Sequence, residues 1–218
     1  MIGYTLVPYV LVLPGAYLLG SISFGLMAGK LGRGIDLRQY GSGATGTTNV
    51  LRALGPRMAA LVLVADLAKG VIGVLLARLI IGTPLAEALA GFLVILGHNW
   101  PVFSRFQGGR GVTTGVGGLT VMSPVAAAIA VGVFIPTVLI SRYASLGSGL
   151  AVSTAMITIP IMAATGQVPW EYMVYVGAGG SLILWRHLGN MKRLLQGTER
   201  RLWGGDKTPG QEPPKREA

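Results

Sequence analysis

Residues 3–29 read GYTLVPYVLVLPGAYLLGSISFGLMAG, a run without one charged side chain. At ~1.5 Å per helical residue, such a run is long enough to span the ~30 Å hydrocarbon core of a bilayer. The first charge is Lys30, and Arg33 and Arg38 follow at once. Basic residues mark the cytoplasmic end of a span, so the N-terminus is expected outside. No Lys or Arg precedes the apolar run, so the positive region of a cleaved signal is missing. Ala16 and Gly20 are spaced i, i+4, and Ser21, Gly25 and Gly29 repeat that spacing. A stripe of small residues lets helices approach closely, and packing is its expected role.

The rest of the composition fits that first span. Of 218 residues, 51% are hydrophobic and only 12% are charged, and the mean hydropathy is +0.61. Soluble domains average about 25% charged residues. The expected fold is therefore an all-α polytopic membrane protein. The formal net charge of +10 suits cytoplasmic loops facing anionic lipid or anionic substrates. The basic residues are scattered between apolar spans, which argues against a nucleic-acid surface. Without cysteine there is no disulfide, thiolate metal site or thioester intermediate. His98 and His187 share no short spacing with each other or with an acid, so no metal site is expected.

Hydropathy predicts further spans over 57–81, 85–98, 112–122, 125–140, 148–165 and 171–186, seven in all. Segments three and four are short, and the count falls to five or six if they stop inside the membrane. Span two carries Asp66 and Lys69, three residues apart on one helical face. An intramembrane charged pair is either a functional site or a brace between helix and loop, and we class this one as structural. The outer turns hold Glu87 and Glu171 but no Lys or Arg. Arg78 at the outer end of span two is expected to snorkel, and residues 170–172 to form an outer interface belt. The turn at 141–147 returns the chain on the inner side. Ser145 and Ser148 either meet a ligand there or cap the next helix. Residues 204–218, rich in Gly and Pro, are expected to be a disordered cytoplasmic tail. Residues 1–203 would then be one membrane domain.

Two inner loops carry the chemistry. Residues 41–52 read GSGATGTTNVLR. Glycines let backbone N–H groups line a concavity that suits an anion. Hydroxyl donors stand between them, and Arg52 can fork onto phosphate. The Gly-Lys-Ser/Thr ending of a P-loop is absent. Residues 106–114, FQGGRGVTT, repeat the pattern at a predicted helix N-terminus, itself an anion site. One such loop alone reads as a flexible connector, but two on one side of a membrane do not. The same face collects Ser42, Thr48, Asn49, Arg52, His98, Arg110, His187 and Asn190. His187, Asn190 and Arg193 recur every third residue and share a face if the helix continues. This inventory suits polyanionic ligands with two phosphate groups. It contains no Ser-His-Asp triad, so an enzyme built this way would hold reactants and stabilise charge.

Several stretches resemble one family in order along nearly the whole chain: the bacterial acyl-phosphate-dependent glycerol-3-phosphate acyltransferases of the PlsY type. LLGSISFG at 18–25 resembles the family's first helix. GSGATGTTNVLR resembles its first loop motif, GSGNxGxTNxxR. DLAKG at 66–70 resembles D-x-x-KG. GHNWPVFSRFQGGRGVTT at 97–114 resembles GHxxPxFxxFxGGKGVAT, and RHLGNMKRLLQGTE at 186–199 resembles the third motif.

The resemblance implies acyl transfer from acyl phosphate to the 1-hydroxyl of glycerol-3-phosphate, giving 1-acyl-glycerol-3-phosphate and phosphate, at the cytoplasmic face of a bacterial inner membrane. It implies catalytic roles for Ser42, Arg52, Arg110, His187 and Asn190. Substrate or phosphate binding falls to Gly41, Gly43, Thr45, Gly46, Thr47, Thr48, Asn49, His98, Gly108, Gly109, Gly111 and Ser148. Glu199 matches an acid of structural role. The partners are acyl phosphate, glycerol-3-phosphate and the lipid bilayer. No cofactor or nucleic acid is expected, and the chain is expected to work as a monomer. His187 would serve either as a base or as a phosphate donor. Ala44 stands where the family has Asn, which removes an amide donor. Arg110 stands where it has Lys, which keeps the charge and adds a fork but forbids deprotonation. Two other readings are a multi-pass phosphate or organophosphate transporter, which also uses Gly-interrupted helices, and a phosphatidyl-alcohol transferase. The transporter lacks an internal repeat. The transferase lacks an aspartate cluster, since only Asp36, Asp66 and Asp206 exist.

Overall fold

The computed structural model describes residues 2–204, and the described residues carry helices without strands. Of the expected tail at 204–218, all but Gly204 lies outside the described residues. The first apolar run is not continuous. It forms α1 (Ile2–Gly20) and α2 (Phe24–Arg33), with a break between them. Carbonyls freed by a break in an apolar setting need a partner. Here Lys69 Nζ supplies it, donating to Gly20 O at 3.1 Å and Ile22 O at 3.0 Å.

The small-residue stripe divides at that break. A Cβ on Gly20 would strike the Val94 backbone, and one on Gly97 would strike Tyr17 O, so this part of the stripe brings α1 against α5 (Pro84–Asn99). Gly25 and Gly29 instead lie against Thr45 O and Ile35 O, so they seat α2 on the loop that follows. That loop, expected to run from 31 to 56, contains a helix, α3 (Thr47–Leu54). Its apolar side buries Val50, Ala53 and Leu54, which the sequence pattern of a Gly-rich loop conceals.

Helix α4 (Pro56–Ile80) starts on a proline, which suits a first helical turn. It packs on α6 (Val112–Met122) through paired glycines. Gly70 faces Thr114 O and Gly117 faces Leu67 O, with no room for a Cβ at either. Close approach explains why α6 is glycine-rich, and its eleven residues reach only ~16 Å. Helices α7 (Pro124–Ser141) and α8 (Ala144–Ala164) follow. Because α8 starts at Ala144, the expected turn at 141–147 shrinks to Arg142 and Tyr143, and Ser145 and Ser148 lie inside the helix without capping it. The last expected span is α9 (Tyr172–Val174), a π-helical turn (Tyr175–Gly179) and α10 (Gly180–Arg186). The short α11 (Leu188–Leu195) completes the order.

Among the described residues, five segments are long and apolar enough to cross a membrane: Leu6–Arg33, Pro56–Ile80, Pro84–Ser104, Pro124–Ser141 and Ala144–Ala164. The polytopic reading holds. At one end of the bundle, Arg78 does not snorkel alone. Its guanidinium pairs with Glu87 at 2.7 and 3.0 Å and donates to Val121 O at 2.9 Å. Tyr172, expected in an interface belt, is buried and donates to Glu87 Oε2 at 2.8 Å. Four helices are thereby tied together there. The Gly-rich loops gather at the other end, around one cavity.

Candidate active site

The first loop is built on Asn49. Its amide nitrogen donates to Tyr40 O and Ala44 O, each at 2.9 Å, with Leu37 O at 3.2 Å, and its Oδ1 accepts from Ser42 N at 3.1 Å. Gly41 has φ 61°, and a Cβ there would strike Asn49 Oδ1, so two independent reasons require glycine. Asn49, expected to bind phosphate, is 2% exposed, and its side chain is spent on holding the loop. Gly46 then caps α3 in extended conformation. The first amides of a helix lack internal partners and favour an anion. Thr48 and Arg52 stand one helical turn apart, and both border the cavity.

The second loop lies on the end of α5. Gly109 N donates to His98 O at 3.0 Å. A Cβ on Gly108 would strike His98 O, and one on Gly109 would strike His98 Nε2. The motif's glycines are thus explained by contact with His98. Gly111 caps α6 with φ 81° and faces Asn99. Arg186 Nη2 donates to Gly109 O at 3.1 Å, and Arg38 Nη1 donates to Ser104 O at 3.2 Å, joining this region to the last span and to the first loop.

Between the loops lies a cavity of about 610 Å³. Ser42, Arg52, Arg110, His187 and Asn190 all border it. So do Gly41, Gly46, Thr47, Thr48, Asn49, His98, Gly111, Ser148, Asp66 and Glu199. Gly43, Thr45, Gly108 and Gly109, expected to bind phosphate, do not reach its surface; they shape the loops instead. Lys69 is likewise off the cavity, beneath it. Ser148 donates to Ala144 O at 2.8 Å in its own helix.

The cavity is strongly positive. Arg52, Arg110, Arg186, Arg193 and Arg200 border it, against Glu199 and Asp66. Burial, only partly offset by Glu199, pushes the Arg110 guanidinium down to about 10, and Arg193, Arg186 and Arg52 add repulsion. Burial and the neighbouring Arg200 lower Arg52 as well. Both stay charged at neutral pH. Arg110 makes no side-chain hydrogen bond among the described residues. Such a group is suited to an incoming anion.

Glu199 organises the third motif. Its Oε1 accepts from Asn190 at 2.7 Å and Ser145 at 2.8 Å, and its Oε2 accepts from Arg193 at 2.8 Å. Arg52 Nη2 donates to Arg200 O at 3.2 Å, and Leu202 N donates to Arg142 O at 2.7 Å. The segment after Glu199 therefore runs along the cavity rim. His187 is buried, and its Nδ1 lies 2.8 Å from Ile183 O. A carbonyl only accepts, so Nδ1 carries the proton and Nε2 has the free lone pair. Burial pushes the imidazole down to about 4, so it is neutral at physiological pH.

Sequence reading gave Ser145 as a ligand contact or a helix cap and set Arg193 on the face of His187 and Asn190; the structure instead joins Ser145 and Arg193 through Glu199. The regular spacing of Asn190 and Arg193 was the available signal. Their shared partner, Glu199, could not be read from spacing.

The sequence pattern of the glycerol-3-phosphate acyltransferases matches residues 10–197. The chain belongs to that family. It is 45% identical over 205 residues to glycerol-3-phosphate acyltransferase 3 of Dehalococcoides mccartyi, covering 88% of this chain and 94% of the relative. It is 40% identical over 194 residues to the glycerol-3-phosphate acyltransferase of Halalkalibacterium halodurans, again covering 88% and 94%. Among solved structures it resembles PlsY (YgiH), an integral membrane glycerol 3-phosphate acyltransferase. The glycerol 3-phosphate form superposes with TM-score 0.82 at 38% identity, over 89% of this chain and 95% of that one. The lysophosphatidic acid form gives 0.79 at 37%, over 88% and 94%. That solved relative is an integral membrane protein, in keeping with the apolar helices here, and the transporter reading finds no support.

Proposed function

We propose that this protein transfers an acyl group from acyl phosphate to the 1-hydroxyl of glycerol-3-phosphate at the cytoplasmic face of a bacterial inner membrane. The observation that carries the reading is the cationic cavity bordered by two Gly-built loops, each leading into a helix N-terminus. Two phosphate groups fit that arrangement, and the relatives' names supply the acceptor. With no Cys in the chain and no triad, the acyl group must arrive already activated, which a thioester or an acyl phosphate would satisfy; the family resemblance and the room for a second phosphate favour acyl phosphate. Residues 1–203 act as one membrane domain, and one copy holds all the residues invoked.

In this mechanism the glycerol-3-phosphate hydroxyl oxygen attacks the acyl carbonyl carbon. The new ester C–O bond forms as the bond from that carbon to the phosphate oxygen breaks. His187 Nε2 accepts the hydroxyl hydrogen bond and orients the nucleophile; as the ester bond forms it takes that proton and hands it on to the departing phosphate. Arg52, Ser42 and the first amides of α3 hold one phosphate. Arg110 and the first amides of α6 hold the other and stabilise the charge that grows on it. Asn190, fixed by Glu199, completes the acceptor site.

Glycerol-3-phosphate-dependent release of phosphate from acyl phosphate tests this. We expect it with the wild type and its collapse in Ser42→Ala and Arg52→Ala. Wild-type turnover in either variant would contradict the assignment. Labelling of engineered cysteines near residues 105 and 142 from one side of sealed vesicles tests the orientation.

A further inference from the structure

Beneath the loops lies a buried ion pair that the acyl transfer proposed above does not use. Lys69 and Asp66 are each 1% exposed, with Nζ 2.9 Å from Asp66 Oδ1. On one side Lys69 holds the two carbonyls at the α1–α2 break. Helix α2 starts there, and its Gly25 sits directly against Thr45 O of the first loop. On the other side Asp66 Oδ1 lies 3.5 Å from His98 Nδ1. The His98 carbonyl holds Gly109 N, and its ring fills the space beside Gly109, the residue before Arg110.

A buried ion pair is poor at adding stability, because desolvation cancels much of the attraction. What it offers is direction. An ammonium bonded to two carbonyls and paired with Asp66 at 2.9 Å locates the break, and a carboxylate between ammonium and imidazole locates the histidine. We infer that Lys69 and Asp66 are positioning residues that set the spacing of the two phosphate-binding loops. The inference rests on the proposed two-phosphate reading. It assigns the intramembrane pair to the geometry of the reaction rather than to the fold alone.

The test uses the full chain in detergent and measures thermal midpoint, kcat and both KM values. In the double variant Asp66→Asn with Lys69→Met no buried charge is left unpaired. We expect its midpoint to fall by a few degrees, because Gly20 O and Ile22 O lose their donor, while kcat per folded protein falls about tenfold or more and the glycerol-3-phosphate KM rises, as misplacement of held reactants requires. Wild-type kcat and KM in that variant would overturn the inference. So would a kcat loss that only matches the loss of folded protein, with both KM values unchanged. Should the double variant fail to fold, Lys69→Arg keeps the charge but not the compact ammonium that bonds both carbonyls and pairs with Asp66. A folded Lys69→Arg protein with reduced kcat and raised KM supports the inference, and wild-type kinetics overturns it. The wild-type rate is the reference throughout. Its absence would count against the proposed function, whereas unchanged variants count only against the positioning role.

Discussion

Asn190 donates to Glu199 Oε1 at 2.7 Å, across nine residues that turn the chain back over the cavity. Glu199 also receives Ser145 and Arg193. Burial alone would raise its pKa, but these three hydrogen bonds outweigh burial and hold it below the ordinary carboxylate value. Glu199→Gln keeps the shape but replaces one acceptor oxygen by a donor. We expect kcat/KM to fall about 10-fold or more, because Asn190 and Arg193 lose their shared anchor and held reactants are misplaced. A depressed carboxylate stabilises the fold above its ordinary pKa and loses that contribution as pH falls through the lowered value. The wild-type thermal midpoint should therefore drop below pH 4.5, the ordinary carboxylate value, more steeply than that of Glu199→Gln.

His187 gives a second window. Burial lowers its pKa to about 4 from 6.5. The unfolded chain then binds more protons between those values, so stability is complete above pH 6.5 and declines as pH falls toward 4. Thermal unfolding of wild type and His187→Asn between pH 7 and pH 4.5 reads this directly, with about 2 kcal/mol or more lost by wild type alone. In the same range kcat should show no inflection from an imidazole of ordinary pKa.

Arg110 is half-buried beside like charges, with no hydrogen-bond acceptor of its own among the described residues. Its partner should be substrate. Arg110→Lys keeps a cation and loses the fork, so steady-state kinetics should show a KM for one substrate raised about 3- to 10-fold with kcat little changed. Arg110→Ala should cost about 100-fold in kcat/KM.

Asn49 and Gly108 test the loops themselves. Asn49→Leu leaves Tyr40 O, Ala44 O and Ser42 N without their amide partner. We expect a loss of about 2–3 kcal/mol, seen as a lowered thermal midpoint, together with loss of turnover. Gly108→Ala drives a Cβ onto His98 O, and because a backbone carbonyl cannot swing aside, the loop must move. Turnover should fall about 100-fold while the helices, followed by circular dichroism, persist.

Much of this was legible in the sequence because hydropathy is local. The runs at 57–81, 112–122 and 125–140 agree with α4, α6 and α7 to within two residues. Motif order led to Ser42, Arg52, Arg110, His187 and Asn190, and the fold brings all five to one cavity. What escaped depends on contacts distant in sequence. The break after Gly20 is held by Lys69, 49 residues away. Tyr172 reads as an interface residue until Glu87, 85 residues away, takes its hydroxyl. Gly108 and Gly109 read as a cradle for a ligand because glycine patterns look alike, whether a phosphate fills the space or His98 does, with its carbonyl at Gly108 and its ring at Gly109. Asn49 is the same lesson in a polar residue: its chemistry suits phosphate, but the backbone of its own loop takes it first.

One measurement reaches the central proposal most directly. Purified protein is supplied with glycerol-3-phosphate and, in parallel, with acyl phosphate, acyl-CoA or acyl carrier protein thioester, and 1-acyl-glycerol-3-phosphate is followed with time. We expect product from acyl phosphate, with one phosphate released per ester formed, and none above background from either thioester. Product from a thioester with acyl phosphate inert, or phosphate release without ester, would contradict it.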